Sequence, residues 1–513
     1  MEGLKKKSNS VLYISLGIVF AITLWGILAP IGFGEVADNI FNFLTNQFGW
    51  LYLVAMFAFV VFVAVLAFSK FGKVRLGPDD SRPDYSNISW FAMLFSAGMG
   101  VGLVFWGVAE PLNHYMGPMA GIDPGTAEAA NFAMFSSFMH WGVHPWANYA
   151  IIALPLAYMQ FRRNKPGLIS SIFIPLLGEE RIAGPIGKTI DILAIFATVA
   201  GVATSLGLGA LQINGGLNYL FGVPINTVSS IVIIGVVTVL FILSAVTGLD
   251  KGIKFLSNTN ITLCGVLMVL TFLAGPTLAI INSLTNGLGM YVSNFIESSF
   301  QINPFGENSW INGWRVFYWA WWIAWAPFVG SFIARISRGR TIREFIAGVT
   351  IIPAIGSFVW FAVFGATGLN LGPEIAAEAV QVTETALFVV MEHIPLGSII
   401  SIIAIILLST FFITSADSAT FVLGMFSRHG DLNPTRSIKV TWGIIQSAMA
   451  FALLQAGGLD ALQTISIAAA FPFIFIMIFA MVSFAKALRE DEAPYIDSEV
   501  EIDTEVEGLD EKI

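Results

Sequence analysis

Aromatic side chains are concentrated in the stretch WRVFYWAWWIAW, residues 314–325, which holds five of the 14 tryptophans in the chain. In a helix, Tyr318, Trp322 and Trp325 follow an i, i+4, i+7 spacing and therefore share one face. No acidic, serine, cysteine or histidine residue accompanies them in this stretch. Their chemistry is that of aromatic ring faces, which attract a cation through the ring quadrupole.

A second aromatic group occurs in HWGVHPWANY, residues 140–149. Trp146 and Tyr149 are three residues apart and are neighbours on one helix face. Pro145 removes a backbone hydrogen bond, and the resulting kink can move Trp141 toward the same face. Several ring faces around one point bind a quaternary ammonium group, which has no N–H to donate. The residue types therefore predict an aromatic box for a methylated cation, provided that both stretches are shielded from water.

The composition indicates a polytopic membrane protein. Of 513 residues, 56% are hydrophobic and only 12% are charged, whereas soluble globular proteins carry about 25% charged residues. The mean hydropathy is +0.78, and apolar character extends along nearly the whole chain. Its surroundings are therefore expected to be membrane lipids, and no nucleic-acid partner is expected. The single cysteine, Cys264, excludes a disulfide within one chain.

Apolar runs of about 20 residues can cross the roughly 30 Å hydrocarbon core of a bilayer. Twelve such predicted spans, numbered in chain order, centre on residues 11–33, 50–69, 88–112, 131–160, 187–213, 226–247, 258–282, 314–335, 344–369, 397–424, 437–456 and 462–485. The first is longer than the roughly 7–15-residue core of a signal peptide, and no A-x-A-like cleavage site follows it. We therefore expect it to be a retained transmembrane helix.

The distribution of lysine and arginine tests this span count, because cytoplasmic loops are enriched in both. With the N-terminus inside, the basic residues should lie at the two termini and after even-numbered spans. They are Lys5, Lys6, Lys7; Lys70, Lys73, Arg75, Arg82; Arg162, Arg163, Lys165, Arg181, Lys188; Lys251, Lys254; Arg335, Arg338, Arg340, Arg343; Arg428, Arg436, Lys439; and Lys486, Arg489, Lys512. Of the 25 basic residues only Arg315 lies elsewhere, at the outer mouth of span 8. The pattern predicts twelve helices in the plasma membrane with both termini cytoplasmic.

The C-terminal tail carries most of the net charge of −9. Residues 490–513 hold eleven acids and one lysine, so the rest of the chain is close to neutral. A polar, proline-interrupted segment of this kind predicts a solvated cytoplasmic extension. As a regulatory hypothesis, its acids contact the basic loop RISRGRTIRE at residues 335–344.

Span 3 contains the unusual sequence GMGVG, in which Gly98, Gly100 and Gly102 alternate. Each glycine costs a helix about 1 kcal/mol relative to alanine. Close helix packing through small residues is the alternative explanation, but that packing favours small residues four positions apart. Alternating glycines favour local unwinding instead, and unwound backbone at membrane depth persists only where it lines a cavity or is buried in protein.

Spans 3 and 8 both carry unusual sequence and are five spans apart. Two units of five helices, spans 3–7 and 8–12, each have an odd helix count and therefore opposite orientations in the membrane. This is the inverted-repeat plan of many secondary transporters, with a site at mid-membrane between broken helices. The predicted segments are 1–10, a cytoplasmic N-terminus; 11–87, two peripheral helices with their loop; 88–282, the first repeat; 283–313, an external amphipathic segment; 314–485, the second repeat; and 486–513, the acidic tail.

An interfacial aromatic belt is the alternative explanation for the tryptophans. Belt residues lie at span ends, which suits Trp314 and Trp310. Trp146, Trp322 and Trp325 lie roughly a third to halfway into their spans, where an indole N–H needs an acceptor that lipid tails do not offer. The inner rings are therefore expected to line a cavity.

An intramembrane enzyme is the competing functional class. His140 and His144 have an i, i+4 spacing that can bind a metal ion, but no glutamate gives them the H-E-x-x-H pattern. No G-x-S-x-G nucleophile motif occurs either. We therefore expect a protein that is not an enzyme.

Four motifs resemble those of the betaine/choline/carnitine transporter family. They are GMGVG at 98–102, HWGVHPWANY at 140–149, FYWAWWIAWAPFVGSFIARISRGR at 317–340 and TSADSATFVLGMFS at 414–427. The resemblance extends over about 12–485. It implies an all-α, leucine-transporter-like 5+5 inverted repeat preceded by two extra helices, usually assembled as a homotrimer.

The resemblance also implies particular site residues. The aromatic box would be Trp141, Trp146, Tyr149 and Trp322, with Trp325 next along the permeation path and the GMGVG backbone beside the substrate. In sodium-coupled members, one ion lies between the first and third helices of the opposing repeats. The corresponding residues here are Ser96, Met99 and Phe411 through backbone oxygens and Thr414 and Ser415 through side-chain oxygens. A second sodium site would use Thr198 and Phe328, but Val202 replaces its other threonine.

The implied function is sodium-driven import of glycine betaine or a related compatible solute, without a cofactor other than sodium as the coupling ion. Hydroxyl groups inside helices also bond back to their own backbone, so Thr414 and Ser415 become ion ligands only through the resemblance. No lysine or arginine lies well inside a span where it would substitute for sodium, as in the carnitine exchangers of the family. Proton coupling through Glu110 or Asp417 and sodium-independent exchange remain the alternatives.

Overall fold

The computed structural model describes residues 9–98, 100–247 and 250–507; for 96–98, 247, 250–255 and 492–507 it describes the backbone alone. Within these ranges the chain is helical, with a single isolated bridge between Arg75 and Thr341. The α-helices are α1 Ser10–Leu28, α2 Pro30–Phe68, α3 Asn87–Gly98, α4 Val101–Met116, α5 Ala127–Trp141, α6 Val143–Ala157, α7 Ile174–Leu177, α8 Glu179–Ala183, α9 Pro185–Phe221, α10 Thr227–Thr247, α11 Asp250–Ala274, α12 Thr277–Ser299, α13 Phe317–Ile336, α14 Ile342–Asn370, α15 Pro373–Ala379, α16 Ala386–Glu392, α17 Gly397–Ser427, α18 Arg436–Gly457 and α19 Leu459–Glu507.

Ten helices in the described part of the chain are long and apolar enough to cross a membrane. They correspond to predicted spans 1, 2 and 5 to 12, although span 7 ends at Ala274 and not at residue 282, because Gly275 and Pro276 separate α11 from α12. Spans 3 and 4 are each divided into two shorter helices, α3 with α4 and α5 with α6. An all-α, polytopic membrane protein, as the composition predicts, is therefore confirmed.

The interruptions in spans 3 and 4 lie where small residues permit them. The helix of span 3 ends at Gly98, and α4 begins after Gly100, within GMGVG. In span 4 the sequence predicts a kink at Pro145, but the helix is broken three residues earlier, at Gly142. Pro145 has no N–H for the carbonyl of Trp141, four residues back, and its ring clashes with that carbonyl, so the break moves to the adjacent glycine.

Several helix ends differ from the predicted boundaries. The first span ends at Leu28 and not at residue 33, because Pro30 starts a new helix and disfavours helical backbone at Ala29. That helix, α2, has 39 residues, a length of about 58 Å. Span 8 is continuous through a π-helical segment, Ile311–Val316, into α13, so it lacks the interruption that span 3 has.

Loops that follow even-numbered predicted spans lie on one face of the protein. Leu76, in the loop after span 2, donates its backbone N–H to the carbonyl of Arg340, in the loop after span 8, at 2.9 Å. Arg162, after span 4, binds Asp79 after span 2 at 2.7 Å and Asp491 after span 12 at 2.5 Å. These contacts join loops that the charge pattern assigns to the same side of the membrane.

The N-terminal segment and the remaining loops fit the same division. Arg428, after span 10, donates to the Asn9 side chain at 2.8 Å. On the opposite face, the segments before spans 2 and 8 are joined by Asn312, which donates to Asn46 at 2.8 Å. The alternation of loops between two faces therefore agrees with the fold.

The tail begins as a continuation of the last span. Helix α19 extends through Glu507, which places the acidic residues 490–507 on a helix. Glutamate is a good helix former, so the charge alone does not end the helix. Asp491 contacts Arg162 and, at 3.4 Å, Arg163, and not the loop at 335–344. The side chains beyond Asp491 lie outside the described residues, so the hypothesis of a contact with that loop is untested for them.

Helix α13 lies at the centre of the molecule. It packs along α6, α9 and α19, and almost every side chain between Phe317 and Ile336 is buried. Helix α4 packs against α5, α9 and α14. This arrangement places the aromatic faces of α13 beside the two interrupted spans.

Candidate functional site

The rings predicted to form a box lie together in one group. The Trp141 and Trp322 centroids are 4.8 Å apart at an interplanar angle of 76°, and those of Tyr149 and Trp322 are 6.3 Å apart at 82°. Trp146 meets Tyr149 at 5.6 Å and 86°. Edge-to-face pairs set the rings nearly at right angles, like adjacent walls of a box. None of the four side chains is more than 3% exposed.

Hydrogen bonds orient two tryptophans of this group, Trp141 and Trp322. The Trp141 indole N–H donates to Glu110 Oε2 at 2.8 Å, and the Trp322 indole N–H donates to the His140 carbonyl at 3.0 Å. Asn148 Nδ2 donates to the Trp322 carbonyl at 2.7 Å and so ties α6 to α13. The Trp141 and Trp322 rings are therefore held in place by hydrogen bonds within the protein.

Two polar groups at these rings are buried and have no hydrogen-bond partner among the described residues, the Tyr149 hydroxyl and the Trp321 indole N–H. Trp321 stacks on Trp322 with centroids 4.8 Å apart and an interplanar angle of 15°. A buried donor without an acceptor is rare in folded proteins. Both donors are therefore available to a polar ligand beside the box.

The glycines of GMGVG allow the interrupted span 3 to approach both the box and α17. A Cβ atom on Gly102 would lie 2.6 Å from Trp321 and 3.3 Å from Trp141, and one on Gly100 would lie 3.4 Å from Ser415 Oγ. Of Gly98 only the backbone is described, as the last residue of α3. Gly100 and Gly102 are therefore close to the predicted substrate residues on one side and to a predicted sodium ligand on the other.

The start of α4 offers backbone donors at this place. The first N–H groups of a helix have no partner within the helix and carry its positive dipole end. In α4 the first intrahelical bond runs from Leu103 N–H to the Gly100 carbonyl at 3.2 Å. At the corresponding break in span 4, Val143 N–H already donates to the Tyr291 hydroxyl at 3.0 Å.

Trp325 lies further along α13, away from Trp141. Its indole N–H donates to the Gly201 carbonyl of α9 at 2.6 Å. Its ring meets Trp321 at 6.4 Å and Phe328 at 5.6 Å. Trp325 therefore lies between Trp321, which stacks on Trp322, and Phe328; its place on a permeation path stays a prediction.

The hydroxyls predicted to bind sodium line a small cavity of about 70 Å³. Thr414 and Ser415 form its α17 side, Ser257 and Ser418 add two hydroxyls, and Phe328 closes the α13 side. Thr414 Oγ1 also contacts its own helix, with the Phe411 carbonyl at 3.2 Å. The predicted side-chain ligands and the Phe411 backbone oxygen are thus neighbours.

Two further members of the predicted sodium site are not described fully. Met99 lies outside the described residues, and Ser96 is described only as part of α3. Three polar neighbours were absent from the sequence-based prediction: Ser257 and Ser418 line the cavity, and Asn260 Nδ2 donates to Thr414 Oγ1 at 3.1 Å.

The second predicted sodium site is less polar than the first. The Thr198 hydroxyl donates to the Ala194 carbonyl of its own helix at 2.8 Å, and Val202 is buried with it on α9. Phe328 lines the cavity at Thr414 and Ser415. The structure therefore places Phe328 with the residues of the first predicted site.

A larger cavity of about 730 Å³ separates α13 from α17 and opens on the face that bears the basic loops. Phe328 and Asp417 lie at its inner part, and Arg335, Arg338 and Lys439 lie on its walls. Asp417 accepts a hydrogen bond from Ser244 at 3.0 Å. This cavity therefore extends from the basic face to Phe328, which is itself buried, and its lining does not include the rings of the box.

The histidines that suggested a metal site do not act together. His140 Nδ1 lies 2.7 Å from Glu110 Oε1, whereas His144 Nε2 lies 2.9 Å from Ser299 Oγ. His114 is instead the second histidine near Glu110, with Nε2 3.3 Å from Oε1. The i, i+4 spacing therefore does not produce a shared His140–His144 site.

Comparison with known proteins identifies relatives over nearly the full chain. Residues 10–493 match the family described as BCCT, betaine/carnitine/choline family transporter. The glycine betaine transporter OpuD of Bacillus subtilis is 51% identical over 489 residues, 95% of each chain. A probable glycine betaine transporter of Desulfitobacterium hafniense is 48% identical over 95% of this chain and 99% of its own. An ectoine/hydroxyectoine transporter of Virgibacillus pantothenticus is 46% identical, over 94% of this chain and 97% of its own. The chain therefore belongs to the betaine/carnitine/choline transporter family.

Proposed function

We propose that the protein imports glycine betaine by sodium symport across the plasma membrane, and thereby serves osmoprotection. The observation that carries this proposal is the buried group of Trp141, Trp146, Tyr149 and Trp322 beside the start of α4. A trimethylammonium group fits the rings, because it is attracted to their faces and offers no hydrogen-bond donor.

The carboxylate of the substrate is directed to the start of α4. The orphan N–H groups of its first turn favour an anion, and Gly100 and Gly102 allow the ligand to approach the backbone. The unpartnered donors of Tyr149 and Trp321 supplement them. Choline has a hydroxyl in place of the carboxylate and would use these donors less well, so a zwitterion is favoured.

Ectoine is the second candidate substrate, because a relative described as an ectoine/hydroxyectoine transporter is 46% identical. Ectoine is also a zwitterion, and its positive charge is delocalised within a ring. Inhibition of glycine betaine uptake by ectoine, and of ectoine uptake by glycine betaine, measures which of the two solutes the protein prefers.

Sodium is assigned to the hydroxyl cavity at Thr414 and Ser415. Hydroxyl and backbone oxygens are the ligands that a small, hard cation requires. Among the described residues that line this cavity, none is basic. Gly100 lies against Ser415 and Gly102 against Trp141 and Trp321, so GMGVG connects the ion to the substrate.

The architecture assigned to this cycle is twelve crossings, with α3–α4 and α5–α6 as the two interrupted spans and a 5+5 inverted repeat after the first two helices. The basic loops and both termini are assigned to the cytoplasm. The cavity between α13 and α17 is then a cytoplasmic vestibule, and alternating access requires that it close while the opposite face opens. A homotrimer is proposed on family resemblance.

Uptake of radiolabelled glycine betaine into proteoliposomes tests the proposal. A sodium gradient alone is expected to drive accumulation, and a proton gradient alone is not. Accumulation driven by protons would instead assign the coupling to Glu110 or Asp417. Transport that requires only preloaded substrate would indicate an exchanger and contradict the sodium site.

Gly102→Ala tests the approach of α4 to the box. Its Cβ would lie 2.6 Å from Trp321, so the rings must shift, and overpacking of this kind costs about 1–3 kcal/mol. We expect KM for glycine betaine to rise about tenfold. Gly235→Ala is the matched control, because its Cβ meets no atom within 4 Å. An unchanged KM in Gly102→Ala would place the substrate elsewhere.

A further inference from the structure

A fully buried carboxylate, Glu110 of α4, lies behind the aromatic box. Its Oε2 accepts from the Trp141 indole N–H at 2.8 Å and from the Tyr318 hydroxyl at 2.5 Å. Its Oε1 lies 2.7 Å from His140 Nδ1 and 3.3 Å from His114 Nε2. Oε2 therefore accepts from two donors, and Oε1 lies beside two histidine ring nitrogens.

These surroundings suit the ionised form of Glu110. A carboxylate only accepts hydrogen bonds, whereas a carboxylic acid must donate one, and Trp and Tyr present their N–H and O–H to it. A buried charge inside a membrane protein is expensive and is usually functional. Scaffolding alone does not require a charge, because a neutral side chain would also hold these groups in place.

Glu110 reaches both walls of the box. It binds Trp141 directly, and its other partner, His140, accepts the Trp322 indole N–H through its backbone carbonyl at 3.0 Å. The His140 ring also stacks on Tyr318, with centroids 4.6 Å apart and an interplanar angle of 20°. Glu110 therefore orients the Trp141 ring directly and contacts the residue whose backbone accepts from Trp322, the ring that meets Trp141 edge-to-face at 4.8 Å.

We propose that Glu110 is a positioning and specificity residue, whose charge, transmitted through the Trp141 N–H, makes the box select a cation over a neutral group of the same shape. A charge-assisted hydrogen bond is roughly twice as strong as a neutral one. It shifts electron density from the N–H into the indole, and this strengthens the negative potential of the ring face toward the substrate cation. This inference rests on the proposed binding of a quaternary ammonium solute in the box.

A metal ion is the competing explanation for this cluster. Glu110, His114 and His140 place ligand atoms within 4.8 Å of one another. Yet Glu110 already accepts hydrogen bonds from Trp141 and Tyr318. A positive charge also lies nearby, because the guanidinium of the buried Arg315 is over the Trp310 ring, 5.4 Å from its centroid. Trp310 in turn packs on both histidines. A nearby positive charge and an occupied carboxylate both disfavour a divalent cation.

A double-mutant cycle on the full-length, purified protein tests the charge transmission. Binding of radiolabelled glycine betaine is measured for wild type, Glu110→Gln, Trp141→Phe and the double variant. Glutamine keeps the size and an acceptor oxygen but loses the charge, and phenylalanine keeps a ring but loses the N–H. We expect Glu110→Gln to weaken binding about tenfold in wild type and less than twofold in Trp141→Phe, because the link is already absent.

A control cycle replaces Trp141→Phe by Trp146→Phe, because Trp146 makes no hydrogen bond to Glu110 among the described residues. In this cycle the fold-losses of binding caused by Glu110→Gln and by Trp146→Phe should multiply in the double variant. Glu110→Asp, which keeps the charge but withdraws it from Trp141, replaces Glu110→Gln if that variant does not fold.

The preference of the box for a cationic over a neutral ligand is a second measurement, and it would not change if Glu110 only held the neighbouring side chains in place. The acid 3,3-dimethylbutanoate has the shape of glycine betaine with a neutral carbon in place of nitrogen. Glu110→Gln is expected to reduce the preference of the box for glycine betaine over this compound about tenfold. Equal losses for both ligands, or multiplying effects in the Trp141 cycle, would overturn the proposal.

Two other outcomes are separable from these. Loss of wild-type binding on treatment with a chelator, restored by Zn²⁺, would overturn the inference in favour of a metal site. A wild-type protein that binds neither solute would contradict the proposed function itself, and the inference with it.

Discussion

Trp322→Leu is expected to raise KM for glycine betaine about 30-fold, because a cation–π contact shielded from water contributes about 2 kcal/mol or more. Trp322 contacts both Trp141 and Tyr149, so its removal takes away one ring of the box and the packing support of two others. Trp322→Phe keeps an aromatic face but loses the N–H that donates to His140, and a smaller rise is expected. The measurement is initial uptake rate against solute concentration at saturating sodium.

Trp319→Leu is the control for this change. Trp319 lies on the same helix and is fully buried. It stacks on His144, with centroids 4.9 Å apart, and meets His140 edge-on at 6.0 Å, but no ring contact joins it to Trp141, Trp146, Tyr149 or Trp322 among the described residues. Both leucine variants lose a large buried side chain and should lower the thermal unfolding midpoint. Only Trp322→Leu should raise KM strongly. Equal KM values for the two variants would show that the rings stabilise the fold and do not bind the solute.

Much of the fold was predictable because a bilayer imposes simple rules on sequence. Twelve apolar runs and the alternation of basic loops predicted which segments share a face, and contacts such as Arg162 with Asp491 and Asn312 with Asn46 agree with that assignment. The interruption at GMGVG was also predictable, because alternating glycines weaken a helix locally. Local sequence was less informative at Gly142, where the consequence of Pro145 appears three residues before the proline.

The contacts that hold the candidate site together are long-range, and a single sequence does not reveal them. Nothing in the spacing pairs Asn148 with the Trp322 carbonyl, or Asn260 with Thr414, because the members of each pair lie in different predicted repeats. Glu110 was recognisable as an unusual charge in a span, but its four partners come from α4, α5 and α13. Residue types therefore indicated the kind of site, whereas the partners depend on how the helices pack.

In the proposed mechanism, the position of GMGVG would couple the binding of the ion to that of the solute. Gly100 lies against Ser415 of the proposed sodium site, and Gly102 lies against Trp141 and Trp321 at the box. Both ligands would therefore order the same short, interrupted segment, and a segment ordered by one ligand costs the other less to order. Such coupling is reciprocal: if sodium raises the affinity for betaine, betaine raises the affinity for sodium by the same factor.

Thr414→Val is accordingly expected to raise the sodium concentration for half-maximal uptake about tenfold or more, because an interaction with a charged group contributes about 1.5–3 kcal/mol. At low sodium the apparent affinity for betaine should fall as well. At saturating sodium it should return toward the wild-type value, because the box is intact. The measurement is a matrix of uptake rates over both concentrations.

Two further variants separate ion binding from helix stability. Thr410→Val removes a hydroxyl one turn earlier on α17 that is also bonded to its own helix, at the Ile406 carbonyl. Thr410 is not among the described residues that line the hydroxyl cavity, so the sodium dependence of this variant should remain that of wild type. Thr414→Ser restores the hydroxyl that Asn260 contacts and should recover most of the sodium affinity. If Thr414→Val and Thr410→Val behave alike, the Thr414 hydroxyl serves only its helix. A betaine affinity that stays low in Thr414→Val at saturating sodium would instead mean that the residue shapes the box, and the coupling through GMGVG would have to be abandoned.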